Sequence, residues 1–179
     1  MTPKTLVLGL GNILLHDEGI GVWVAESLQR QFEFPPEVAV LEGGTLGLDL
    51  LPRLDGVERL LVIDAVKLGR EPGDLARLAG DEVPAALHIK VSPHQVGIQD
   101  LLAAARLMGR EPPEVVLWGM EPERLDPGTG FSPSVESAIP RLQAAVLDEL
   151  RGWEVPGRPV NGAGPPPIWW QEPGVGRPR

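Results

Sequence analysis

The stretch Leu6-Val-Leu-Gly-Leu-Gly-Asn-Ile-Leu-Leu-His-Asp-Glu-Gly-Ile-Gly21 constrains the fold of this chain more than any other. It sets a short apolar run, a tight glycine turn and two adjacent carboxylates ahead of a helical pattern. Val7, Leu8 and Leu10 suit a strand buried on both faces, Gly9 and Gly11 permit a sharp turn, and Ile20, Val24 and Leu28 recur at helical spacing. Strand, loop and helix in that order begin an open α/β sheet, where ligands gather at the carboxyl ends of the strands. Asp17 and Glu18 fall at such an end.

The rest of the chain repeats the alternation. Apolar runs at 5–10, 37–42, 59–65 and 113–120 read as strands, and helical spacing marks 19–32, 97–109 and 134–151. A weaker helix is expected over 47–54, with Pro52 at an end or break, and short extra strands over 73–78 and 86–91. This order predicts a single α/β domain of three layers, a mostly parallel twisted sheet with helices on both faces. The wholly apolar Leu60-Leu-Val-Ile63 is its expected central strand. With 179 residues, 42% of them hydrophobic, the chain can fill one such core.

The composition changes after Arg151. Seven prolines and six glycines among residues 152–179 argue against a packed structure, so the domain is expected to cover 1–151 and residues 152–179 to form a disordered tail. On that reading, deleting the tail leaves thermal stability nearly unchanged. Trp153, Trp169 and Trp170 lie in it, three of the five tryptophans, so a docking segment is the sharper alternative.

Several function classes are set aside by what the chain carries. A formal net charge of −9 disfavours nucleic acid and anionic membranes as partners. The absence of cysteine excludes disulfides, thiolate metal sites and a cysteine nucleophile. No basic segment followed by an apolar signal core opens the chain, and no run of about 18 apolar residues occurs, so a cytoplasmic protein is expected. No Gly-x-Ser-x-Gly elbow, Walker loop or His-Glu-x-x-His is present. Gly9-x-Gly11 resembles a dinucleotide fingerprint, and Glu42 could stand for its ribose-binding acid. However, Leu14 occupies the third glycine's place, and two acids lie where a pyrophosphate would approach a helix N-terminus.

Three groups occupy equivalent positions: Glu18 after strand one, Asp64 closing Leu60-Leu-Val-Ile-Asp-Ala65, and His94 in Ser92-Pro-His-Gln-Val-Gly97, a loop just before a helix. In a parallel sheet they converge on one edge, and two carboxylates with an imidazole suit a divalent transition metal. Against this, an acid ending a strand can simply cap a turn or helix. Asp17 either caps the helix or supports Glu18 from behind. His16 and His88 read as surface or packing residues. Gly43 and Gly44, in Glu42-Gly-Gly-Thr-Leu-Gly47, would let a partner's backbone come close, with a plain turn as the alternative. Gly119-Met-Glu-Pro122 and Gly128-Thr-Gly-Phe-Ser-Pro133 form a second rim, where Ser132 or Ser134 can cap the last helix.

Taken in order, Gly9-x-Gly-Asn12, Asp17-Glu18, Gly43-Gly-Thr45, Ile63-Asp-Ala65, Ser92-Pro-His-Gln95 and Gly119-Met-Glu-Pro122 resemble the successive motifs of the [NiFe]-hydrogenase maturation endopeptidases, from about Leu6 to about Leu150. The resemblance implies a cytoplasmic, aspartic-type endopeptidase that removes a C-terminal extension from the hydrogenase large-subunit precursor once nickel has been inserted. By the same resemblance Glu18, Asp64 and His94 contact the metal, which arrives with the substrate; other divalent metals could occupy the site. Asp17 would stand behind Glu18, and Gly43, Gly44 and Thr45 would touch substrate backbone. The precursor is the expected partner and a monomer the expected state. The alternatives are a non-catalytic nickel-sensing or chaperone-like binder of the same precursor, or a nucleotide-binding α/β protein.

Overall fold

The computed structural model describes residues 3–87 and 93–166, without the side chains of residues 85–87 and 93–96. In chain order its elements are β1 (Thr5–Leu10), α1 (Ile20–Gln31), β2 (Phe32–Glu33), β3 (Val38–Gly44), β4 (Arg59–Ala65), β5 (Leu75–Ala79), α2 (Glu82–Leu87), α3 (Pro93–Leu107), β6 (Glu114–Met120), α4 (Pro133–Gly152) and β7 (Arg158–Pro159). Two 3₁₀ turns, His16–Gly19 and Gly47–Leu54, lie before α1 and between β3 and β4.

The main sheet has the order β3-β1-β4-β6-β5. All its pairings are parallel except β5 with β6. β1 is buried along its whole length and β4 from Leu60 onward, which is why both read as unbroken apolar runs rather than as an alternation. Side chains still alternate between faces. Val7, Leu61 and Ile63 pack with α1 and α4, while Leu6, Leu8, Leu60 and Val62 pack with the 47–54 turn and α3. The three-layer α/β domain expected from the sequence is therefore the fold, with β4 third of the five strands.

The chain leaves β1 through α1 to reach β3 on one side, then crosses to β4 on the other. The direction of strand addition thus reverses between β1 and β4, and the carboxyl ends of that pair frame the crevice where open α/β sheets place their ligands.

Three elements differ from the sequence reading. Residues 82–87, in part assigned to a strand, form α2, and 88–91 lie outside the described residues. Helix α3 begins at Pro93, not at Gly97, because proline fits a first helical position whose N–H needs no partner. His94 is therefore in the first turn of a helix and not in the loop before it. The packed chain also runs past 151: Trp153 and Val155 are buried, and Arg158–Pro159 pair antiparallel with Phe32–Glu33. Trp153 is anchored through Nε1 to Glu114 Oε1 at 2.8 Å, and its carbonyl accepts from Arg59 Nη1 at 2.8 Å. Composition cannot reveal such anchors. Trp169 and Trp170 lie outside the described residues; among the described residues no helix is long and apolar enough to cross a membrane.

Candidate functional site

The site begins with backbone that only glycine allows. A Cβ on Gly9 would lie 2.2 Å from Gly21 O, and one on Gly21 would lie 2.1 Å from Ile63 O, so this pair lets α1 press against β1 and β4. Gly11 has φ +127°, and its Cβ would meet Glu18 O at 1.7 Å. The loop carrying Asp17 and Glu18 thus folds back directly over Gly11. Asn12 shapes that loop, its Oδ1 accepting from Leu14 N–H at 3.0 Å.

Glu18 and Asp64 both end up at the crevice, 2% and 0% exposed. The turn that bears Glu18 packs on β4, the strand that ends in Asp64-Ala65. Asp64 Oδ1 accepts from Ala65 N–H at 2.8 Å, which fixes its rotamer against its own backbone. The third motif approaches from the side: Gly47, just beyond β3, packs against Gly97 of α3, with 3.1 Å from its would-be Cβ to Gly97 Cα. The first turn of α3, with His94, therefore borders the same edge. The His94 side chain lies outside the described residues, among which no three His, Asp or Glu cluster to hold a metal.

Asp17 has a different task from Glu18. It is fully buried, and its carboxylate accepts from Glu123 N–H at 2.9 Å, Arg124 N–H at 2.8 Å, Ser132 N–H at 2.7 Å and Ser132 Oγ at 2.9 Å. One acid thereby ties the 121–132 loop to the turn holding Glu18. It does not cap α1, whose N-terminus has no side-chain cap. His16 joins the same seam: its N–H donates to Gly128 O at 3.1 Å, its ring covers Gly128, and Nε2 lies 3.8 Å from Asp126 Oδ2. It packs, as its surroundings in the sequence suggested. Ser132 is also the N-cap of α4, accepting from Val135 N–H.

Glu121 is a residue that sequence reasoning quoted only as part of a motif. Its buried carboxylate accepts from Leu68 N–H at 2.7 Å and Arg70 N–H at 3.2 Å, holding the loop that leaves Asp64. An acid directly after the apolar run of β6 was the available signal.

The glycine-threonine segment divides. A Cβ on Gly43 would lie 2.7 Å from Leu8 Cδ1 and 2.9 Å from Leu10 Cδ2, so core packing accounts for glycine there. Gly44 has φ +51° with open space around it, and Thr45 is exposed. Glu42 is exposed on β3, and its carboxyl is held above the usual carboxylate range, first by partial burial and then by the nearby Glu26.

The fold and sequence are shared with known proteins. Residues 22–149 match the family model described as hydrogenase maturation protease. The chain is 42% identical over 149 residues to the hydrogenase 2 maturation protease of Escherichia coli, covering 83% of this chain and 91% of that one. It is 43% identical over 154 residues to the hydrogenase expression/formation protein HupD of Rhodobacter capsulatus, covering 85% and 73%. The solved structure of the hydrogenase maturating endopeptidase HybD from E. coli superposes with a TM-score of 0.83 at 41% identity, over 87% of this chain and 97% of that one.

Proposed function

The chain belongs to the hydrogenase maturation protease family, and from that premise we propose that it cuts the C-terminal extension from a [NiFe]-hydrogenase large-subunit precursor after nickel insertion. The observation that carries this reading is the burial of two carboxylates, Glu18 and Asp64, at one switch point of the sheet. Buried carboxylates are costly to keep ionised, and a divalent cation brought in by the substrate offsets that cost. Glu18, Asp64 and His94 are the proposed contacts to the nickel. Neutral imidazole and ionised carboxylate are the forms that bind it.

A chain without cysteine supplies only oxygen and nitrogen ligands, so softer ligands come with the nickel from the precursor. Held there, substrate nickel can polarise the scissile carbonyl or acidify a bound water. Asp17 positions the turn of Glu18, Glu121 positions the loop after Asp64, and Gly44 and Thr45, with the main chain of Gly43, border the incoming peptide.

The test is to incubate the chain with nickel-loaded and nickel-free precursor and to weigh the products. Loss of the extension from the loaded form alone is expected, as is its abolition by Glu18→Gln, Asp64→Asn or His94→Ala. Equal cleavage of both forms would remove the nickel requirement. A loaded precursor that binds but keeps its full mass would mark the chain as a binder instead.

A further inference from the structure

Strand β3 forms an edge of the sheet, on the side of β1 away from β4. Lys4 and Thr5 donate to Glu37 O at 2.8 and 3.0 Å, and the register runs from Thr5↔Val38 to Gly9↔Glu42. In a parallel ladder alternate residues face the partner strand, so Val38, Val40 and Glu42 turn their N–H and C=O groups away from β1.

Those outward groups are unequally protected. Val38 N–H donates to Pro35 O at 2.9 Å, and Val40 O accepts from Gln29 Nε2 at 2.8 Å. The opposite edge, β5, is guarded in the same manner: Leu75 O accepts from Arg70 Nη1 at 2.8 Å, and Ala79 N–H donates to Glu82 Oε2 at 3.1 Å. Side-chain and turn bonds of this kind keep sheet edges from pairing with other chains. Within β3, Glu42 is the residue with neither its outward N–H nor its outward C=O bonded among the described residues, whereas Val38 and Val40 each have one of the two bonded. The register Glu42–Gly9–Ile63 sets it level with the residue before Asp64.

We infer that the open main chain at Glu42 is a docking edge on which an extended segment of the precursor pairs with β3 as a sixth strand. This deepens the endopeptidase reading and rests on it. Such a strand would lie about 14 Å from β4, three inter-strand spacings, and four or five residues at about 3.3 Å each carry the peptide across Gly44 to Asp64. The residue with both outward groups open lies at the end of β3 nearest the buried carboxylates, while Val38 and Val40 each have one outward group occupied. A second copy of the chain is a poorer occupant, because pairing two edges needs a longer free run and a net charge of −9 opposes self-association. Main-chain pairing of this type binds a peptide through its backbone and leaves alternate side chains for specificity.

Glu42→Pro tests the edge, since proline at an outward-facing edge position removes one N–H without breaking the ladder to β1. Glu42→Ala keeps the N–H and sets the baseline for loss of the side chain. Cleavage of nickel-loaded precursor by Glu42→Pro should fall about tenfold below that baseline, through KM, as for one lost main-chain hydrogen bond. In the unsubstituted chain, pulsed hydrogen exchange during turnover of excess loaded precursor should slow at the Glu42 amide, a readout that needs no variant to fold. If the parent cuts while Glu42→Pro matches Glu42→Ala and Glu42 exchange is unchanged, the edge inference fails alone. If the parent leaves loaded precursor uncut, both readings fall. Protection of the Glu42 amide that rises with protein concentration in the absence of precursor would give the edge to a second copy and overturn the inference.

Discussion

Asp17 and Ser132, 115 residues apart, are joined twice: Ser132 N–H donates to Asp17 Oδ1 at 2.7 Å and Ser132 Oγ to Oδ2 at 2.9 Å. With Glu123 N–H and Arg124 N–H also aimed at Oδ2, removing the carboxylate strands four buried or part-buried donors. Asp17→Ala should therefore destabilise the protein by about 3 kcal/mol, a drop of roughly 6–12 °C in melting temperature for a chain this size. Ser132→Ala should cost less, because the main-chain bond survives. Thermal unfolding of the two variants gives the comparison.

Gly11 and Gly69 separate steric need from conformational need. Both have positive φ, +127° and +74°, but a Cβ on Gly11 meets Glu18 O at 1.7 Å while one on Gly69 meets nothing within 4 Å. Gly69→Ala should cost only about 1 kcal/mol of backbone strain. Gly11→Ala has to displace the Glu18 turn as well, so it should lose more stability and, with it, precursor cleavage. Equal effects of the two in denaturation and cleavage assays would remove the steric argument.

Arg77 and Glu149 make a bidentate pair, with both N···O distances 2.7 Å, and Trp118 Nε1 adds a third donor at 3.1 Å. The Arg77 hydrogen bond lowers the Glu149 carboxyl below its usual range against the opposing effect of burial. A carboxyl lowered by folding stabilises the protein above its unfolded pKa, and that contribution is lost as pH falls through its folded value. Arg77→Met should thus cost about 1 kcal/mol at pH 7, since the arginine is partly solvent-exposed, and progressively less below pH ~4.5. Urea unfolding of parent and variant across pH 2.5–7 reads the difference.

Trp153 reverses the expectation that residues after 151 are dispensable. It is 8% exposed, bonded to Glu114 and Arg59, and its ring centroid lies 6.0 Å from the Arg59 guanidinium carbon. Trp153→Ala should destabilise by about 3–5 kcal/mol, and deletion of residues 152–179 by at least as much. An unchanged melting transition on deletion would mean that the core closes without the tryptophan.

The sequence made the sheet legible through β1 and β4, whose apolar runs leave no polar face for an exposed strand. Glu18 and Asp64 were legible by the same route, as acids placed where such strands end. The end of helix α2, residues 86 and 87, falls in the segment 86–91 read as a strand, because a short apolar run carries too few turns to show its period. The roles of Asp17 and Glu121 were hidden for another reason. A carboxylate that accepts main-chain N–H groups from a distant loop leaves no spacing pattern, since its partners can be any residue type.

By itself, then, the sequence determined the α/β order of elements, the glycine turn at Gly9–Gly11 and the acids at the strand ends, because hydrophobic period and backbone freedom are local properties. Tertiary structure alone decided that Asp17 would serve a loop more than a hundred residues away while its neighbour Glu18 was buried in the turn that packs on β4. It also decided that Trp153 would close the core beyond the compositional boundary, and that Glu42 would keep both outward main-chain groups open while Val38 and Val40 each had one bonded. Each of these depends on which backbone groups the folded chain brings within hydrogen-bonding distance, and strand order sets that independently of residue type.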